Sequence, residues 1–168
     1  LARELCGLRI REAKILASML FNVEMLNSAD LQIVAESITN IEEAEVFAQN
    51  LLSRIADVNY IDHLAHGTDW QLLAAIHSVG WTVKRSEPHA ASLAQWFVAN
   101  LDAFSGRQLS ATLMPLLNAM NNVATLSAKM HDNVVHFAAD CTSSSDPFRQ
   151  KIGNQWRIFY TDDGLSEC

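Results

Sequence analysis

The chain has 168 residues and a mass of 18.6 kDa, with 49% hydrophobic and 18% charged residues, which suits one folded domain and excludes a disordered polar segment. Its formal net charge is −7 and only 12 residues are basic, which argues against non-specific nucleic-acid binding, because phosphate contacts need clustered Lys and Arg. Cys6, Cys141 and Cys168 are odd in number and widely spaced, so they suggest neither a disulfide framework nor a zinc site.

Leu1–Leu26 has helical spacing, with Leu5, Leu8, Ile15, Leu16, Met19, Leu20 and Val23 as the expected buried stripe. Arg3, Arg9, Arg11 and Lys14 fall largely off that stripe, and Gly7 separates a short first turn from a longer helix. Asn27-Ser28-Ala29-Asp30 is a break with N-cap chemistry. A short helix over Leu31–Asn40 follows, with Leu31, Val34, Ala35 and Ile38 on one side. The next helix, Glu42–Asp57, opens with acidic residues that suit the positive end of a helix dipole, and buries Val46, Phe47, Leu51 and Ile55.

Val58–Gly67 reads as a connection with at most a helical turn. Thr68-Asp69 caps a helix carrying Trp70, Leu73, Ala74, His77 and Trp81 to about Val83, which Gly80 weakens. Ser86 is the expected cap of the next helix, with Glu87 and Pro88 in its first turn and Leu93, Trp96, Phe97 and Leu101 as its stripe. Ser105 is expected to cap a further helix, in which Pro115 predicts a kink or a later start. Thr125 caps its partner, whose inner face is Leu126, Met130, Val134, Phe137 and Ala138. Asp146-Pro147 starts a last helix bearing Phe148, Ile152, Trp156 and Phe159, with Gly153 as a soft spot, and 161–168 is a frayed tail.

Three helix pairs emerge, near 28–57, 68–102 and 105–141. Gln32-Ile33-Val34-Ala35, Gln71-Leu72-Leu73-Ala74 and Gln108-Leu109-Ser110-Ala111 share a register, 39 positions from Gln32 to Gln71 and 37 from Gln71 to Gln108. A period in this range is the mark of helix-pair repeats, which stack because no pair buries its apolar face alone. The expected fold is all-α: about seven helices in stacked antiparallel pairs, a short α-solenoid or helical bundle without a sheet, in one domain over 1–160 with the final helix at 147–160. The longest uncharged stretch, Gln108–Ala128, contains Pro115, Asn118, Asn121 and Asn122 and fails as a membrane span. A start at Leu1 is what a cleaved organellar transit peptide or a trimmed chain would leave.

Phe104-Ser105-Gly106-Arg107-Gln108-Leu109-Ser110-Ala111-Thr112-Leu113, on to Met120, resembles the first helix of an octotricopeptide-type or FAST-kinase-like repeat: a polar cap, Leu, a small residue, then a Leu-rich face closing in an Ala-rich turn. The resemblance extends over Ser28–Cys141. It implies a helical-hairpin protein of mitochondria or plastids, acting in RNA processing or as a scaffold in an organellar ribosome.

Few residues offer chemistry. His63 and His66, beside Asp62 and Asp69, are candidate metal ligands, but no third strong ligand has the right spacing, and a solvated loop with a capping Asp69 is the simpler reading. Asp132 and His136 lie four apart and could orient a base toward Cys141, yet triad members normally come from different elements. Trp70, Trp96 and Trp156 fall on apolar stripes and belong to the core. Trp81 with Lys84 and Arg85, and a second basic cluster of Arg149, Lys151 and Arg157, are the candidate RNA contacts. No catalytic residue and no cofactor is assigned. The expected function is a non-enzymatic helical-repeat scaffold of a mitochondrial, ribosome-like assembly, with other proteins as partners and no membrane span. Alternatives are an organellar RNA-binding module, a bundle with a small-ligand or metal site, an adaptor for a regulatory protein, and a cytoplasmic location.

Overall fold

The computed structural model describes residues 1–162, and it is all-helical, with no strand among those residues. The described residues form ten α-helices, more than the roughly seven expected: α1 (Ala2–Gly7), α2 (Arg11–Leu20), α3 (Ser28–Ser37), α4 (Ile41–Asn50), α5 (Val58–Ala65), α6 (Asp69–Lys84), α7 (Ala90–Gly106), α8 (Leu113–Ala124), α9 (Ala128–Thr142) and α10 (Pro147–Asp162). The extra helices have local causes. Gly7 ends α1, and Asp57 accepts from the Asn59 amide at 2.9 Å, turning the expected connection into α5. Leu51 breaks the long helix drawn over 42–57, and a 3₁₀ turn over Leu52–Arg54 follows. Among the described residues no helix is long and apolar enough to cross a membrane.

The starts of α6 and α10 lie where cap chemistry put them, whereas α3 starts at Ser28, ahead of the expected Leu31, with Asn27 and not Ser or Asp as its cap. Asn27 and Asp30 form a reciprocal capping box on α3, Thr68 and Gln71 form another on α6, and the Asp146 carboxylate accepts from the Phe148 and Arg149 amides at 2.7 and 3.1 Å. Three expected caps do not act as caps. Ser86 adopts φ 55° and closes α6, with its amide bonded to Val83 O and that of Glu87 to Thr82 O, a Schellman C-terminus with Ser in the usual glycine place. Ser105 is buried inside the last turn of α7, and α8 begins eight residues later at Leu113, which puts Pro115 in the first turn, where it needs no amide partner. Thr125 ends α8, and Ser127 caps α9 through the Met130 amide at 3.2 Å, leaving Leu126 exposed outside the helix. At the C-terminal end α10 continues through the positions expected to begin the tail, Thr161 and Asp162, while 163–168 and the Phe159 side chain lie outside the described residues.

The core is organised around α6. Leu72 to Ile76 form one unbroken buried run, and Ser78, Val79, Gly80, Thr82 and Val83 are buried as well, so nearly every side of this helix meets protein. It packs against α4, α5, α7 and α8. Beyond it, α9 packs on α7 and α8, and α10 lies along α9. Gly153 is the contact point of that last pair: a Cβ there would lie 2.5 Å from Thr142 N and 2.6 Å from Ala138 O.

Candidate functional site

The N-terminal helices are attached the opposite way round from the sequence expectation. The side of α2 that faces protein is made of Ala13, Ala17 and Ser18, small residues that let it lie close to α4. Its basic residues reach across to acidic partners. Lys14 Nζ donates to Glu43 at 2.5 Å and to Ser37 O at 3.0 Å, Arg11 Nε donates to Glu42 at 2.6 Å, and Arg3 of α1 grips Asp30 with two bonds, Nη2 at 2.9 Å. The bonds from Arg3 and from Arg11 hold Asp30 and Glu42 below the usual carboxylate range. Burial pushes Glu43 the other way, but bonds from Lys14 and Thr39 outweigh it and its pKa is also lowered.

The apolar stripe is therefore turned outward. Leu8, Leu16 and Leu20 are 44%, 47% and 44% exposed, and Met19 is 60% exposed. Leu16, Met19 and Leu20 lie on one face at i, i+3 and i+4, and Ile10 and Met25, outside α2, are exposed as well. Leu5, Ile15 and Val23 are half-buried along its margin. Single exposed leucines are ordinary, whereas a contiguous row of large apolar side chains marks an interaction surface. Periodicity reveals a stripe and not its cover. The alanines opposite were the available signal.

In the first basic cluster Lys84 and Arg85 are exposed and lean on Trp81. Trp81 is half-buried beside α8, with Lys84 Nζ 5.1 Å and Arg85 Cζ 5.3 Å from its ring centroid. Arg85 is further anchored by a 2.9 Å bond to Ser53 Oγ. The second cluster divides. Lys151 and Arg157 are exposed on α10, while Arg149 packs inward, bonded to Asp102 at 2.7 Å and lying over the Phe137 ring at 5.6 Å. Burial disfavours charge on Arg149, but Asp102 and Cys141 override that and raise its pKa.

His63 is exposed on α5 and His66 is exposed just past its end, with His66 Nδ1 2.8 Å from Asp62 O. Asp62 accepts from Trp96 Nε1 at 2.8 Å. Among the described residues no three of His, Cys, Asp and Glu gather as a metal ion requires. The Asp132–His136 alignment toward Cys141 does not form. His136 faces Asp140 at 3.6 Å, Asp132 faces His131 at 3.4 Å, and Cys141 is buried with its thiol pKa pushed up by burial. Trp156 is buried, and Trp70 and Trp96 pack half-buried against the core. Compared with family models, with curated proteins and with solved structures, the chain finds no match.

Proposed function

We propose that this chain is a non-enzymatic helical scaffold that joins a larger protein assembly through the outward face of α1 and α2. The observation that carries the reading is the inverted attachment of α2, which pairs Arg11 and Lys14 with carboxylates of the same chain and leaves Leu16, Met19 and Leu20 bare. An apolar surface of this kind matches the apolar side of a partner helix and offers nothing to phosphates. The RNA-binding alternative has less support, since the chain carries a net charge of −7 and Arg149 is engaged by Asp102.

A stacked-pair solenoid belongs to the same proposal. It is supported by α6 packing beside α8 while α7 packs beside α9, the neighbour relation that successive helix pairs of a solenoid have. The organellar, ribosome-like setting rests on the sequence resemblance of Phe104 to Met120 alone, a segment that spans the end of α7, a 3₁₀ turn and the start of α8 and is not one helix. The test is a triple variant, Leu16→Glu, Met19→Glu and Leu20→Glu, expressed in the native source. We expect the unaltered chain to migrate in a high-mass complex and the variant, with unchanged helix content, to migrate as a monomer. A variant that stays in the complex refutes the proposal, as does turnover of a substrate by the purified chain.

A further inference from the structure

A second surface is lined by residues of α4, α6 and α8. Between α4, α6 and α8 runs a half-open groove of about 470 Å³, lined by Glu45, His77, Trp81, Lys84, Asn118 and Asn121 among others. We propose that this groove binds an extended peptide segment of a partner protein, with asparagine amides reading its backbone. The proposal rests on the scaffold reading but uses a different surface from the apolar stripe.

Three features carry it. First, the wall contributed by α8 is a ladder of carboxamides. Each amide has both a donor and an acceptor, the complement of a peptide unit. Neighbours at this helical spacing stand about 5–6 Å apart at Cβ, close to the ~6.7 Å repeat of alternate residues in an extended chain. Asn122, next in the row, is committed internally, donating to Gly80 O at 3.1 Å and fixing the α6–α8 crossing.

Second, the Asn121 Oδ1 atom is buried without a hydrogen-bond donor among the described residues. An orphaned buried acceptor is costly, and the χ2 torsion of Asn is soft enough to turn this amide into the groove. Asn118 is exposed, and His77, which burial holds toward its neutral form, adds one donor and one acceptor.

Third, the charges select the occupant. Glu45 and Lys84 contribute one carboxylate and one ammonium, and the whole chain is at −7, a setting that repels a polyphosphate and suits a peptide with both signs of side chain. Trp81, steadied by Arg85 on Ser53, supplies an apolar wall for a peptide side chain.

The test is to pan a phage-displayed library of random dodecapeptides on the intact chain, then to titrate selected peptides by calorimetry. Asn118→Ala, at an exposed position where folding is not at risk, should weaken binding about fivefold, as loss of a ~1 kcal/mol hydrogen bond predicts. Trp81→Phe should weaken it less than Trp81→Ala, and N-methylation of alternate peptide amides should weaken it about tenfold or more. The triple variant of the α2 stripe should bind these peptides as the unaltered chain does. Failure to select any peptide overturns the proposal, as do equal binding by the Asn118 variant and competition by AMP or oligouridylate. Peptide binding lost only in the stripe variant also overturns it and leaves the scaffold reading standing, whereas groove binding with an unaffected native complex removes that reading alone.

Discussion

Gly80 and Gly153 sit inside two helices, and both look like weak points by propensity. Their surroundings differ. A Cβ at Gly80 would meet its nearest neighbours, Asn122 Nδ2 and Ala119 Cα, at 3.5 and 3.7 Å, ordinary packing distances. Gly80→Ala should therefore raise stability by about 0.5–1 kcal/mol, the helix-propensity gain, measured by urea unfolding. A Cβ at Gly153 would collide with the backbone at Thr142 and Ala138, which cannot rotate away. Gly153→Ala should cost about 1–3 kcal/mol in the same measurement, although the intrinsic propensity change is identical. Cap residues divide in the same manner. Thr68 and Asp146 were legible because each precedes a helix start marked by other signals, Gln71 for one and Pro147 for the other. Ser86, Ser105 and Thr125 have the same chemistry but sit at or inside helix ends, a placement that depends on where the preceding helix stops.

At the scale of elements, α1 and α2 are held by three ion pairs and a thin layer of small side chains, in contrast to the aromatic and aliphatic packing around α6. Asp30, Glu42 and Glu43 all have folded pKa values below their ordinary ones. A carboxylate depressed on folding adds stability that is complete above its unfolded pKa of about 4 and is lost as pH falls through the folded value. The attachment of α1 and α2 should thus be constant from pH 7 to 5 and weaken below about pH 4. Hydrogen exchange, corrected for the intrinsic pH dependence of the rate, should show the amides of these two helices losing protection before those of α6. Equal loss in both regions would mean that the ion pairs do not govern the attachment. The α2 stripe was fully legible as a stripe, and its orientation was not, because the choice lay between covering leucines and joining Arg11 and Lys14 to Glu42 and Glu43 on another helix.

For the whole molecule, the decisive element is α6. Ile76 is fully buried among the helices around it, and Ile76→Ala should destabilise the fold by about 2–5 kcal/mol, the usual range for emptying such a site. Met19→Ala, on the 60% exposed side chain, should change stability by no more than about 0.5 kcal/mol, so chemical unfolding of the two variants separates core from contact surface. The run Leu72-Leu73-Ala74-Ala75-Ile76 shows why the central position was hard to read: an apolar stripe with alanines beside it fits a helix covered on one side as well as one covered all round.

Helical class, most helix positions and the absence of a membrane-spanning helix among the described residues follow from the sequence alone, since spacing, caps and hydropathy are local quantities. Which faces are covered, which glycine tolerates a methyl and which amides line the groove at Trp81 were decided by tertiary packing. Each of these depends on what another helix, far along the chain, brings to the same point in space, and periodicity within one helix carries no record of that neighbour.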